Sequence, residues 1–274
     1  MLGKLMKYEW KATWKLLVLA NGLTLLMTII AWGMVRILEQ SGSDFRMMDF
    51  MAVMVLFTYV ASMFAVSIGT GIFLIHRFYT STYGDQGYLL HTLPVDAHHI
   101  IIAKLLVSAA WELINIVAIY LSVIFLFASS KEVLESMMRG MKDAIEYLGA
   151  EKITAFTVIM TLLAFVFSLF AKVLKVGACI SLGQLAPNHK LLLSFAWYAG
   201  IYVIEQILQA VYLVVVFAFR KRLDDGTSLY YRNYGGMSIF GDNQWEITLI
   251  GAIISCVIFY LLTWYMMSRK LNLD

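Results

Sequence analysis

Six long stretches of mostly apolar residues alternate with shorter polar segments along the chain. They cover about 16–38, 50–75, 99–128, 153–177, 190–219 and 246–268. Each stretch is long enough to cross about 30 Å of hydrocarbon as an α-helix. Segments of about 10 residues that alternate apolar and polar positions, as in a membrane β-barrel, do not occur. The pattern predicts an all-α membrane protein with six spans, forming a single transmembrane domain over 1–274.

Residues 2–15, which precede the first apolar stretch, are basic. Four lysines fall on one narrow helical face: Lys4, Lys7, Lys11 and Lys15. Trp10 and Trp14 occupy other faces of the same helix. The spacing predicts an N-terminal interfacial helix that lies on the membrane before the chain enters the first span. The alternative is a charged flank that only anchors that span.

Two longer polar segments, 129–152 and 220–245, separate later spans and are predicted to be external. The first carries apolar residues at helical spacing: Leu134, Met137, Met141, Ile145 and Leu148. This predicts an amphipathic helix that rests on the membrane or on other helices. The second is rich in glycine and tyrosine, which predicts a loop.

Six spans place both termini on the same side of the membrane. Four lysines precede the first span, against Arg36 and Arg46 beyond it. Because positive charge favours the cytoplasmic side, we expect both termini in the cytoplasm. The basic cluster Arg220–Arg222 fits this orientation least well.

The composition agrees with a membrane protein. Hydrophobic residues make up 61% of the chain and charged residues only 14%, whereas soluble domains carry about 25% charged residues. The two cysteines, Cys179 and Cys256, do not form a disulfide framework.

Two glutamates lie deep in predicted spans, where a carboxylate costs about 2.5–3.5 kcal/mol to insert. In the third span, polar residues recur at helical spacing: Ser108, Glu112, Asn115 and Ser122. In the fifth span the corresponding set, called here the Glu205 stripe, is Tyr198, Tyr202, Glu205, Gln209 and Tyr212. This stripe covers about 21 Å.

Three interpretations of these polar sets stay open. The residues line a translocation path or gate, they join packed helices through hydrogen bonds of protonated glutamates, or they couple transport to protons. The second span also has small residues on one face, at Ala61, Ala65 and Gly69. These indicate either close packing within the bundle or the seam of a dimer.

Four histidines, at positions 76, 91, 98 and 99, raise the question of a metal site. No HExxH motif and no cysteine accompany them, and the nearby carboxylates are only Asp85 and Asp96, so we expect no metal. The chain also lacks a phosphate-binding P-loop, a GxSxG motif and an SxxK motif. We therefore expect neither catalytic residues nor a cofactor in this chain, and no nucleic-acid partner.

The segment "GDQGYLLHTLPVD", residues 84–96, is polar and rich in turn-forming residues. A short helix is predicted from Asp85 to Thr92, and Leu93-Pro94 ends it because proline disfavours helix in the preceding residue. Asp96 is then placed to cap the third span. Such an element at the mouth of the membrane predicts a contact for a soluble partner. A second break lies at Pro187 in "SLGQLAPNHK".

The order of "RFY", "GDQGYLLHTLPV", "SLGQL", "HK" and the tail "SRKLNLD" resembles permease subunits of type-2 ATP-binding-cassette (ABC) transporters of Gram-positive bacteria. The resemblance covers the whole chain. It implies a multi-pass permease in the plasma membrane, paired with a second copy of itself or a related permease within the lipid bilayer. It also implies that cytoplasmic ATPase subunits bind the ATP and Mg²⁺ and that the permease itself is not an enzyme.

The resemblance assigns roles to particular residues. The loop 76–98 would carry the coupling helix that docks on the ATPase, with the contact formed by Gly84, Asp85, Gln86, Gly87, Tyr88, Leu89, Leu90, His91, Thr92, Leu93 and Pro94. A second contact would be formed by Gly183, Gln184, Pro187, His189 and Lys190. The path would lie between two permeases and be lined by the second and fifth spans, which favours the Glu205 stripe over Glu112 and Asn115.

The implied function is export of an amphipathic or hydrophobic compound, such as a peptide, drug or lipid. One rival is a secondary transporter or channel that uses Glu112 or Glu205 for ion coupling, for which inverted repeats would be expected. Another is an intramembrane enzyme or a scaffold subunit.

Overall fold

The computed structural model describes residues 2–41, 46–84, 87, 96–127, 131–150, 155–185, 189–224 and 244–269. The main elements in these ranges are seven helices, and no residue described there forms a strand. They are α1 (Leu2–Ser41), α2 (Arg46–Thr82), α3 (Ala97–Phe127), α4 (Lys131–Ala150), α5 (Ala155–Gly183), α6 (Lys190–Asp224) and α7 (Gln244–Arg269). The all-α prediction is confirmed.

Six of the helices, all except α4, contain segments long and apolar enough to cross a membrane. These segments are Leu2–Ile37, Phe50–Thr82, Ala97–Phe127, Val158–Gly183, Lys190–Val215 and Thr248–Ser268. The prediction of six spans is confirmed, and the chain is a multi-pass membrane protein. Several helices extend past the predicted apolar limits, because charged and polar residues that flank the apolar stretches are also helical.

Helix α1 corrects one prediction. It continues for 40 residues without a break near residue 15, so residues 2–15 are its first part and not a separate helix. The four lysines of this part are all exposed, as a single basic face requires. The location of that face at a membrane surface stays a prediction.

The chain divides into two compact units, Met1–Phe156 and Thr157–Asn272. The first contains α1 to α4, and the second contains α6, α7 and nearly all of α5. A single transmembrane domain over 1–274 stays a prediction.

In the first unit, α1 packs along α2 and α3. One apolar cluster joins Leu17, Leu74, Val107 and Trp111, and another joins Ala31, Tyr59 and Leu126. Between these clusters lie buried polar side chains, which hold membrane helices together by hydrogen bonds across the contact. The hydroxyl of Ser122 lies 2.6 Å from that of Thr28 and 2.7 Å from that of Tyr59.

Helix α4 confirms that the segment 129–152 is mainly helical. Leu134, Met137 and Met141, three residues of its predicted apolar face, are exposed. These side chains therefore do not rest on other helices of the first unit.

In the second unit, the end of α5 lies against the start of α6. A Cβ atom added to Gly183 would stand 2.7 Å from the Lys190 carbonyl oxygen and 2.8 Å from Ser194 Cβ. The contact therefore has no room for a side chain at position 183. Farther along, the Cys256 thiol donates to the Phe167 carbonyl over 3.3 Å, and both cysteines are free thiols.

Candidate functional site

Of the eleven residues predicted to contact an ATPase, Gly84 and Gly87 lie among the described residues, and the other nine lie outside them. Helix α2 ends at Thr82, and the amides of Tyr83 and Gly84 both donate to the Tyr79 carbonyl. The Gly87 amide then donates to the Gly84 carbonyl over 2.7 Å. The chain thus turns tightly as it leaves α2, while the short helix predicted from Asp85 to Thr92 lies mostly outside the described residues and stays a prediction.

Both glycines are required by close backbone contacts. A Cβ atom on Gly84 would lie 2.9 Å from the Thr80 carbonyl oxygen, and one on Gly87 would overlap the Thr82 carbonyl group. At the other end of the segment, Asp96 directly precedes α3 and its carbonyl accepts the His99 amide over 3.0 Å. Asp96 therefore occupies the position predicted for the N-terminal cap of the third span.

A cluster of charged and polar side chains lies where α2 ends and α3 begins. These two helix ends are called the stems of the segment that connects them. The cluster consists of Glu9 on α1, Arg77 and Ser81 on α2, and Lys104 on α3, and is called the Glu9 cluster below. Lys104 Nζ donates to Glu9 Oε1 over 2.8 Å, and Arg77 Nε donates to Glu9 Oε2 over 3.2 Å. Lys104 also donates to the Ser81 hydroxyl. One carboxylate thus bonds to both stems through its two oxygens.

Aromatic side chains of α1, α2 and α3 lie near the Glu9 cluster. The rings of Trp10 and Trp111 stack with their centroids 4.7 Å apart, and the Trp111 indole donates to the Thr13 hydroxyl over 3.0 Å. Lys104 Nζ lies 5.7 Å from the centroid of the Phe78 ring. These contacts exclude solvent, and the Lys104 side chain is only 5% exposed.

Glu9, Arg77 and Lys104 were not among the site residues predicted from the sequence. One signal was present, because Glu9 is the only acidic residue among the first 15 and precedes Thr13 and Leu17 at spacings of four. That spacing places the three residues on one helix face. Nothing in the sequence pointed to the partners, which lie on other helices.

The residues of the second predicted contact differ in solvent exposure. Gln184 is buried, and its amide bonds to the Ile180 carbonyl over 3.5 Å, whereas His189 is exposed. His189 has a φ of 60°, a left-handed conformation that is uncommon for residues other than glycine. Lys190 begins α6 directly after it. Gly183 packs as described above, and Pro187 lies outside the described residues.

The Glu205 stripe lies on α6, and its members are not equally exposed. Tyr198, Glu205 and Tyr212 are partly buried, whereas Tyr202 and Gln209 are exposed. Glu205 Oε2 accepts a hydrogen bond from Lys175 Nζ of α5 over 2.7 Å. The same ammonium group lies 5.4 Å from the centroid of the Tyr198 ring. Lys175 was not among the site residues predicted from the sequence.

Glu112 and Asn115, the predicted path residues of the third span, belong to the first unit. Asn115 is buried, and its amide donates to the Thr70 hydroxyl over 3.0 Å. This contact favours the packing interpretation for Asn115. Glu112 is partly buried and also makes interactions.

The small residues of α2 do not pack within the first unit. Ala61, Ala65 and Gly69 are exposed, and a Cβ atom on Gly69 would meet nothing within 4 Å. Packing inside this unit therefore does not explain them, and a seam between two copies stays a prediction.

Within the described ranges, no three His, Cys, Asp or Glu residues form a group that could hold a metal ion. Comparison with protein-family models, curated proteins and solved structures found no match to this chain. The residues of the Glu9 cluster and the Glu205 stripe are therefore interpreted from their own chemistry.

Proposed function

We propose that this protein is the permease subunit of an ABC transporter in the plasma membrane, with both termini in the cytoplasm. It exports an amphipathic or hydrophobic compound, such as a peptide, drug or lipid. Separate ATPase subunits bind ATP and Mg²⁺, and a second copy or a related permease completes the path. The six candidate spans and the sequence resemblance of the loops support this assignment.

The ion pair between Lys175 and Glu205 carries the transport part of the proposal. Both residues lie in candidate spans, where charges are rare and typically mark a substrate or ion pathway. The Glu205 side chain is 34% exposed and the Lys175 side chain 13% exposed. A charged group that is this accessible on a membrane helix needs a polar environment that hydrocarbon does not supply.

The residues around the pair suit an amphipathic substrate. Tyrosine combines an apolar ring with a polar hydroxyl. Tyr202 lies about one turn from Glu205 along α6, and Tyr198 lies about two turns from it. A partly exposed row of this kind offers both apolar contact and hydrogen bonds. It therefore fits a compound with an apolar body and polar groups.

The ATPase part of the proposal rests on the segment 84–96. Its tight exit from α2 at Gly84 and Gly87 supports a short, defined element at the mouth of the bundle. The residues between these turns and Asp96 would supply the contact surface, with Tyr88 and Leu89 as its apolar side chains. His189, exposed at the start of α6, would belong to the second contact.

The test is co-purification of the full-length chain with a soluble ATPase, followed by replacement of Tyr88 and Leu89 with glutamate. We expect the double variant to fold and to lose transport-coupled ATP hydrolysis. The matched control, Tyr88→Phe with Leu89→Met, keeps the size and apolar character of both side chains and should remain coupled. A glutamate variant that still hydrolyses ATP in step with transport would contradict the proposal.

The pair between Lys175 and Glu205 also supports a second candidate, an ion-coupled secondary transporter. In that case transport would proceed without any ATPase, follow an ion gradient and be lost in Glu205→Gln. In an ABC permease, transport would instead follow ATP and be independent of the gradient. Flux measurements in proteoliposomes with and without ATP separate the two.

A further inference from the structure

The Glu9 cluster joins three parts of the first unit that are far apart in sequence. Its bonds connect Glu9 with Arg77 across 68 residues and with Lys104 across 95 residues. Arg77 lies in the last two turns of α2, and Lys104 lies within the first three turns of α3. The cluster therefore binds both stems of the segment that connects α2 to α3.

We propose that the Glu9 cluster is a clamp and that Glu9 is a positioning residue. Its carboxylate holds the two stems of the segment 83–96 against the first turns of α1, so that these three pieces move as one body. The segment then leaves α2 and enters α3 at a fixed separation.

The charges of the cluster make the clamp specific for a carboxylate. Arg77 and Lys104 are both cations, and without Glu9 they would repel each other in a partly buried place. Glu9 bonds to both, and each of its oxygens serves one stem. Hydrogen bonds between charged groups are about twice as strong as those between neutral ones.

The Ser81 hydroxyl strengthens the connection between the stems themselves. It accepts from Lys104 and donates to the Arg77 carbonyl. The last turns of α2 thus contact Lys104 directly and also through Glu9. Removal of Glu9 keeps this direct bond, which does not reach α1.

The consequence for transport rests on the proposed function. If the segment 84–96 contacts an ATPase, a force applied there enters α1, α2 and α3 together. The N-terminal part of α1 is then a component of the coupling element although it is distant in sequence.

Hydrogen exchange measured by mass spectrometry on the full-length chain in lipid nanodiscs tests the clamp. In Glu9→Gln, we expect exchange to become about tenfold faster in three segments at once, 2–9, 77–84 and 96–104, because helix ends that lose tertiary contacts open locally. Arg77→Met should affect 2–9 and 77–84 and leave 96–104 nearly unchanged. Lys104→Met removes the bonds to Glu9 and to Ser81 and should affect all three segments.

The matched control is Glu205→Gln, which breaks an ion pair of the second unit by the same substitution. It should leave exchange in the three segments unchanged. Faster exchange in Glu9→Gln that is confined to 2–9, or that spreads evenly over the whole chain, would overturn the clamp.

A further variant separates the clamp from the cost of an unpaired charge. Glu9→Gln combined with Lys104→Met removes the buried ammonium and keeps the variant foldable. If the clamp is correct, exchange stays fast in both stems. A return to the wild-type pattern would show that only the unpaired charge mattered and would overturn the proposal.

These measurements do not require an ATPase. Failure of the proposed function would appear as absence of an ATPase partner, with the exchange pattern of the clamp intact. Failure of the clamp would appear as an unaltered exchange pattern, whether or not an ATPase binds.

Discussion

Helices α1 and α6 each carry a glutamate bonded to a lysine of a neighbouring helix, but their surroundings differ. Glu9 has two cationic partners and an aromatic shell, and its side chain is 15% exposed. Glu205 has one cationic partner and is 34% exposed, with exposed Tyr202 and Gln209 on the same helix. Glu9 therefore belongs to a contact of three helices, whereas Glu205 pairs across two helices and is the more exposed of the two carboxylates.

This difference indicates different roles for Glu9 and Glu205. A buried carboxylate with fixed partners holds helices in place. An accessible carboxylate with one partner can exchange that partner for a substrate or for water. Stability measurements should therefore be sensitive to changes in α1, and transport measurements to changes in α6.

The largest effect on stability is expected for Glu9→Leu. It leaves Lys104 buried without its carboxylate, and breaking a buried pair in this way costs about 3–5 kcal/mol of unfolding free energy. Thermal or denaturant unfolding in detergent measures the loss. Adding Lys104→Met to Glu9→Leu should recover much of this stability. If Glu9→Leu alone were as stable as wild type, Glu9 would contribute no more to stability than Glu205 is expected to.

Gly183→Ala should destabilise the second unit by about 1–3 kcal/mol, because the added methyl group overpacks the contact with Lys190 and Ser194. Gly200→Ala is the matched control on α6, where a Cβ atom would meet nothing within 4 Å. It should be neutral or stabilise the helix by up to about 1 kcal/mol. Equal losses in both variants would show that α6 is packed along its whole length.

Thr28→Val should cost about 0.6 kcal/mol, and up to about 1.7 kcal/mol, as measured for hydrogen bonds between membrane helices. The variant keeps the shape of the side chain and removes its bond to Ser122. Thr58→Val is the control, because the exposed Thr58 hydroxyl bonds to the Met54 carbonyl of its own helix. A control that loses as much stability as Thr28→Val would show that the contact between helices is not the cause.

Glu205→Gln should have the smallest effect on stability, about 1 kcal/mol or less, since the pair is accessible and the amide still accepts a hydrogen bond from Lys175. Its effect should appear in transport, as a changed rate or substrate preference in proteoliposomes. A large loss of stability with unaltered transport would reverse the roles assigned to Glu9 and Glu205.

Much of the fold was predictable because apolar length and helical period are local properties. They located the six spans and α4, and the turn-forming residues of the segment 84–96, with Asp96 as a cap, located the end of α2 and the start of α3. The boundary near residue 15 was wrong because hydropathy reports the surroundings of a helix and not the continuity of its backbone. No proline lies between Leu2 and Ser41 to end the helix.

The partners of the two glutamates were not predictable from periodicity. A helical period shows which residues share a face, but it does not show which other helix meets that face. Lys175 lies 30 residues from Glu205, and the partners of Glu9 lie farther still. For Asn115 the polar pattern was correct, but only the structure showed that it is directed at Thr70.

The unbroken length of α1 has a mechanical consequence. At 1.5 Å per residue, the helix is about 60 Å long, roughly twice the thickness of the hydrocarbon layer. Its contact with Ser122 at Thr28 and its contact with Arg77 and Lys104 at Glu9 are about 28 Å apart along the axis. Two contacts this far apart hold α1 against tilting relative to α2 and α3, because a tilt of about 10° about Thr28 would move Glu9 by about 5 Å and break its bonds to Arg77 and Lys104.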